Sequence, residues 1–269
     1  SKGVLWGWEV TAYVWTKALA TGTFLMMAVW FWLNGGINAA SEMNGLLTSL
    51  VFMGITGALL VKDLDRPDRF LYVLLRPQWK SWLVRGAYII TGFGGLVTLK
   101  LVDNYLGLGL IWLWGLGAVL AVLGAVYTAF LFNQARARDL WQTLVISAIH
   151  MLVHAVMAGS VVIMLIAPET SLWMVDILIW IIVINLFIMV KEILLHQNTT
   201  DTRKAIYLMT KGYYSKYFWT GIVFGNIAPL VMLTAYTDCM TLIAGGFVLI
   251  GIFLTEFVRI RVPQMIPLS

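Results

Sequence analysis

The sequence predicts an all-α integral membrane protein, a bundle of eight transmembrane helices in two four-helix halves. Three observations support this. Hydrophobic residues make up 61% of the 269 positions and charged residues 12%, against roughly half and a quarter in ordinary soluble domains. The apolar residues run in eight stretches, each near the ~20 residues a helix needs to cross a bilayer. These stretches are continuous, and too long for the short alternating strands of a membrane β-barrel, the other way to satisfy every backbone group in lipid.

In chain order the spans are Val10–Leu33, Asn44–Lys62, Trp82–Val102, Gly109–Asn133, Trp141–Ile166, Trp173–Leu195, Tyr217–Tyr236 and Met240–Arg261. The first opens with WGWEVTAYVWTKALATG, in which Glu9, Tyr13 and Lys17 are spaced i, i+4, i+8 and share one helix face. Between spans two and three, DLDRPDRFLYVLLRPQWKSWLVR (Asp63–Arg85) holds a dense run of charge. Pro67 and Pro77 break continuous helix there, and DRFLYVLLR between them predicts a short amphipathic helix lying in the interface. Its residues Asp65, Arg66, Asp68, Arg69 and Arg76 suit a membrane-surface anchor or a docking platform for a partner.

Spans three to five are rich in small residues (Gly92, Gly94, Gly95; Gly115, Gly117, Gly124; Ala155, Ala158, Gly159), which permit close helix packing. Span four ends near Tyr127, in YTAFLFNQARARDLW. Span five carries His150 and His154, again i, i+4. Spans six to eight add Asn185 and Asn226, with Glu192 and Glu256 close enough to one end to pair with Lys191, Arg259 or Arg261. Trp6, Trp8, Trp79, Trp82, Trp141, Trp173, Tyr213 and Tyr214 cluster at span ends, as an interfacial belt does. The chain reads as a single transmembrane domain, 1–269, with halves at 10–133 and 141–261.

The net charge of +5 reflects topology rather than nucleic-acid affinity. Of the 18 basic residues, all but Lys17, inside span one, and Lys100, at the opposite end, fall on one side of the eight spans. The positive-inside rule puts that side, with both termini, in the cytoplasm, although a basic face also suits an acidic docking partner. A single cysteine, Cys239, excludes an internal disulfide and an iron–sulfur cluster held by this chain alone.

Ionisable groups inside a membrane are costly and point to function. For Glu9 and Lys17 the alternatives are a headgroup position with snorkelling or mutual pairing, and a polar ligand or proton site. Two histidines at i, i+4 can hold a metal, but no carboxylate or cysteine nearby in sequence completes a set. Haem needs ligands at equal depth on facing helices. The third histidine, His196, sits at the end of span six, while His150 lies roughly 13 Å deeper. The expectation is no haem or metal in this chain, and a proton relay or internal hydrogen bonds at the histidines.

With these residues in view, the chain resembles the NrfD/PsrC family of membrane anchor subunits, of the polysulfide-reductase and DMSO-reductase type. The opening WGW with ALATG, the stretch DLDRPDRFLYVLLRPQWKSW with Gly86, and Tyr127 in its setting carry the resemblance, and the second stretch is the most specific. It implies a quinone-handling subunit of the bacterial or archaeal cytoplasmic membrane, without a redox cofactor of its own. Menaquinone or ubiquinone would bind within the first four helices and exchange electrons with a ferredoxin-like iron–sulfur partner. That partner would serve a molybdopterin or other catalytic subunit. The resemblance assigns Tyr127 to the quinone pocket and places the pocket's span-one positions around Val10 and Tyr13. Tyr13 stands where the family has a histidine, with Glu9 and Lys17 one turn to either side, which leaves ligand contacts and the direction of electron flow open. Quinone contacts are expected from Tyr13, Tyr127, Glu9 and Lys17, and proton transfer from Glu9, Lys17, His150, His154 and Asn185. The alternatives are a cofactor-free structural or proton-conducting subunit, and a secondary transporter with a midplane site at Lys17, His150 and Asn185.

Overall fold

A computed structural model describes residues 6–63, 68–134, 144–195, 199–235 and 237–266. Among them there is no strand, and eight helical segments are long and apolar enough to cross a membrane. The elements are α1 (Trp8–Asn34), α2 (Ala39–Asp63), a short α3 (Asp68–Leu75), α4 (Trp82–Leu106), α5 (Trp112–Gln134), α6 (Leu144–Ile166), α7 (Ser171–Leu195) and a surface helix α8 (Thr200–Thr210). The seventh span is composite: α9 (Ser215–Ile222), a π-helical turn (Val223–Ile227) and α10 (Ala228–Leu233). Helix α11 (Asp238–Arg261) is the eighth.

Local chemistry sets several ends. Helices α1 and α4 stop at Gly35 and Gly107, whose φ values of 72° and 65° lie in the left-handed region that glycine enters without strain. Their N–H groups bond back to Phe31 and Asp103. The π turn precedes Pro229, which has no N–H to give the preceding turn. Helix α8 begins on Thr199, whose hydroxyl accepts from the Thr202 N–H at 3.1 Å, an N-cap.

Helices α1, α2, α4 and α5 pack in a ring. Helices α6 and α7, the composite span and α11 pack in another. The seam is α1 against α6 and α11, and α5 against α6. Glycine sets the closeness of the seam: a Cβ on Gly22 would lie 1.8 Å from the Ala155 carbonyl oxygen, and one on Gly159 2.1 Å from that of Gly22. Away from the seam, Trp180, Phe187 and Leu172 are exposed, an outer face suited to lipid.

Candidate functional site

Where α1, α2, α4 and α5 converge near the end carrying Trp6, they enclose a cavity of about 190 Å³. Its walls are apolar (Trp6, Val10, Leu60, Leu83, Leu131, Phe132), with three polar side chains, Glu9, Tyr13 and Thr128. The Tyr13 hydroxyl is buried and has no protein partner among the described residues. That leaves a hydrogen bond to be made, because a buried hydroxyl without one is costly.

Behind Thr128 lies Lys17, which is 1% exposed. Its ammonium donates to Thr128 Oγ1 at 2.7 Å and to the Ala125 carbonyl at 3.3 Å. It also stands 4.5 Å from the Tyr127 ring centre and 5.9 Å from that of Tyr13, within cation–π range. Thr128 in turn donates to Met151 Sδ. Gly86 makes room for the Tyr127 ring: a Cβ there would fall 2.1 Å from Tyr127 Cε2. The sequence-predicted residues Tyr13, Lys17 and Tyr127 are thus brought together. Of these, Tyr13 lines the cavity, Lys17 sits behind Thr128, and the Tyr127 ring packs against Lys17 and Gly86 and is not part of the lining.

Glu9 does not reach Lys17. It lies at the cavity rim, 3.8 Å from Lys62, whose ammonium is also 5.0 Å above the Trp8 ring. The roof is pinned from the far end of the chain. Gln264 Oε1 accepts from the Trp6 N–H at 2.8 Å, Gln264 Nε2 donates to the Trp6 carbonyl at 3.1 Å, and the Trp6 ring packs on Phe132.

Across the seam, α6, α7 and α11 build a buried ladder. His154 Nδ1 meets Glu256 at 2.5 Å. One turn nearer the surface, His150 Nδ1 meets Glu192 at 3.1 Å, and Arg259 bonds Glu192 at 3.2 Å while also contacting His150. The two imidazoles lie 4.3 Å apart, centre to centre. Glu256, expected from sequence to pair with a basic residue at the surface, is instead fully buried on His154. Asn185 stands apart from the histidines, donating to Asn226 at 2.8 Å across to the π turn.

At the opposite end of the bundle, Lys100 is buried within α4 rather than in a loop, 3.0 Å from Glu42 and 2.6 Å from Asp103. Among the proposed docking residues, Asp65 and Arg66 lie outside the described residues, as do the side chains of Asp68 and Arg69. His196 lies outside them as well. Arg76 is exposed and stands 5.4 Å from the Tyr72 ring centre.

Sequence reasoning missed Thr128 and Gln264; it expected Glu192 to pair with a basic residue such as Arg259, as it does at 3.2 Å, but not that Glu192 and Glu256 also meet the two histidines. Glu256 and Arg259 did carry a signal, since i, i+3 places them on one face of α11. Nothing local marks Gln264, whose partner lies 258 residues away.

Eight apolar helices, a seam of touching backbones and ionisable groups buried within the bundle define a multi-pass membrane protein. The chain matches the family described as polysulphide reductase, NrfD, over residues 1–267, and it belongs to that family. These are prokaryotic inner-membrane subunits of respiratory oxidoreductase complexes. No curated protein matches the chain.

Proposed function

We propose that this chain is the quinone-reactive membrane anchor of a respiratory oxidoreductase, exchanging electrons between menaquinone or ubiquinone and an iron–sulfur partner subunit. The cavity beside Tyr13 carries the proposal. Drug-sized pockets span about 300–1,000 Å³, so 190 Å³ suits a single ring with its isoprenoid tail left in the lipid. The residues present fit such a ring. Apolar side chains flank it, the unpartnered Tyr13 hydroxyl donates to one carbonyl, and the Thr128 hydroxyl lies on the same wall. When bound, a quinone would accept two electrons together with two protons, and the quinol would release them.

The chain's own residues do the rest. Glu9, at the rim, exchanges protons with water. Lys17 holds Thr128 in place and puts positive charge behind it. Burial excludes bulk water from the inner wall. Arg76 and the charged segment around α3 form the docking platform for the iron–sulfur subunit, and the basic face with both termini is cytoplasmic.

The test is Tyr13→Phe and Thr128→Val in the purified complex. Each should lower quinone affinity, read by titration with a fluorescent quinone-site probe, and quinol-linked electron transfer by about ten-fold or more, with subunit composition unchanged. Wild-type affinity and rate in both variants would overturn the assignment.

A further inference from the structure

Between Lys17 and the histidine–carboxylate ladder there is a second, enclosed cavity of about 10 Å³. Its wall includes Lys17, Ala18, Met151, His154 and Glu256. A cavity of about 10–15 Å³ holds one water when it offers two to four polar partners. Here the partners are at hand. His154 Nε2 and Glu256 Oε2 are buried without a protein partner among the described residues, on side chains 2% and 0% exposed. Lys17 lines the cavity from the other side, facing Glu256 and His154 across it.

We propose that one water occupies this cavity and joins the quinone cavity's polar wall to the ladder. The result is a second proton route, through the seam and back to the face on which the chain begins. The proposal rests on the quinone reading. Lys17 is nine residues into α1 and His154 ten into α6, both from the same face, so both lie roughly 14 Å deep. His150 is a turn shallower. Beyond it Glu192 is 21% exposed at its side chain, next to the end of α7.

The route runs Thr128, Lys17, water, Glu256 with His154, His150, Glu192. Arg259 flanks His150 and Glu192, and Tyr13 and Tyr127 flank Lys17. Quinol oxidation sends two electrons singly to the partner's iron–sulfur carrier and frees two protons. Glu9 at the rim takes one, the inner route takes the other, and each group ends in the protonation state in which it began. Quinone reduction runs the same steps in reverse.

Two variants test this in the intact complex. Ala18→Val fills the small cavity and removes no titratable group. Glu256→Gln keeps the shape of the pair with His154. A cryo-EM map resolving ordered water should show density between Lys17, His154 and Glu256 in the wild type, and none there in Ala18→Val. Both variants should lower kcat for quinol oxidation by about ten-fold or more, with KM within about two-fold, a larger solvent isotope effect and a displaced pH profile. Should Glu256→Gln fail to assemble, Ala18→Val alone decides. Absence of that water in a well-resolved wild-type map, or a wild-type kcat and pH profile in Ala18→Val, overturns the route. Failure of the quinone reading shows separately, as unchanged probe affinity in Tyr13→Phe and Thr128→Val, while the water remains open to direct inspection.

Discussion

At the scale of single residues, Lys17 shows what a sequence does and does not disclose. A lysine nine residues inside an apolar helix is conspicuous, and its shared face with Tyr13 follows from spacing alone. Its partners do not, because Thr128 and Ala125 come from α5, more than a hundred residues away. The same holds for His150 and His154, whose carboxylates arrive from α7 and α11. The buried stem and the charged tip of Lys17 can be separated experimentally. Lys17→Met keeps most of the stem and should leave the complex assembled while slowing quinol-linked turnover. Lys17→Ala also opens a void, which should cost about 2–4 kcal/mol. A thermal-unfolding midpoint set beside turnover for the two variants tells chemistry from packing, and equal turnover in Lys17→Met and wild type would remove Lys17 from the mechanism.

At the scale of elements, span existence was legible and span ends less so. Hydropathy starts span two at Asn44, yet α2 begins at Ala39, because Glu42 is neutralised by Lys100 from α4 and no longer marks a boundary. The π turn was not read, although Gly225 and Pro229 signal it. Gly225 and Gly251 touch there, with a Cβ on either falling 2.3 Å from the other's Cα. Helix α8 went unread because it is a polar surface helix with no span signature. The seam of α1 and α6 is the contact least able to yield, since added atoms at Gly22 or Gly159 meet backbone rather than flexible side chains. Gly22→Val or Gly159→Val should therefore destabilise the bundle by about 1–3 kcal/mol or more, seen as a lowered midpoint and reduced yield in mild detergent. Gly92→Ala, whose Cβ meets open space, is the control and should be near neutral. The strap at Trp6 is an element of another kind. Gln264→Ala removes three hydrogen bonds, two of them to Trp6 and one to the Ile260 carbonyl, each worth about 0.5–1.5 kcal/mol. Hydrogen exchange of residues 6–13 should quicken, with the α6 core unchanged. Unaltered exchange there would show that the ring contact on Phe132 and the Arg261 hydrogen bond to the Trp6 carbonyl suffice to hold the roof.

At the scale of the whole molecule, the buried ionisable groups divide by depth. Glu9, Lys17, His150, His154, Glu192, Glu256 and Arg259 occupy the half of the bundle toward the chain's start, and Glu42, Lys100 and Asp103 the other end. Toward that other end lie Phe24, Phe93 and Trp114, all buried, with the Phe24 ring centre 5.6 Å from that of Phe93 and 5.2 Å from that of Trp114, whose ring lies 4.9 Å from the Lys100 ammonium. The nearby hydroxyls of Thr21, Thr23 and Ser49 donate to helix carbonyls of Lys17, Leu19 and Ala20, so they are engaged locally rather than in a chain across the bilayer. On the reading proposed above, a proton released in the cavity beside Tyr13 would leave toward one face, through Glu9 or through the ladder, and would meet these aromatic rings toward the other. It follows that turnover of the complex, reconstituted in one orientation in sealed vesicles, should change pH on the basic face alone and build no membrane potential by itself. A pH dye trapped inside and a potential-sensitive dye read the two quantities together. A protonophore should leave the initial rate unchanged, because turnover moves no charge across the membrane. Appearance of a protonophore-sensitive potential would mean that charge crosses these rings, and Phe24→Tyr, which sets a hydroxyl among them, would be the variant to examine next for a faster crossing.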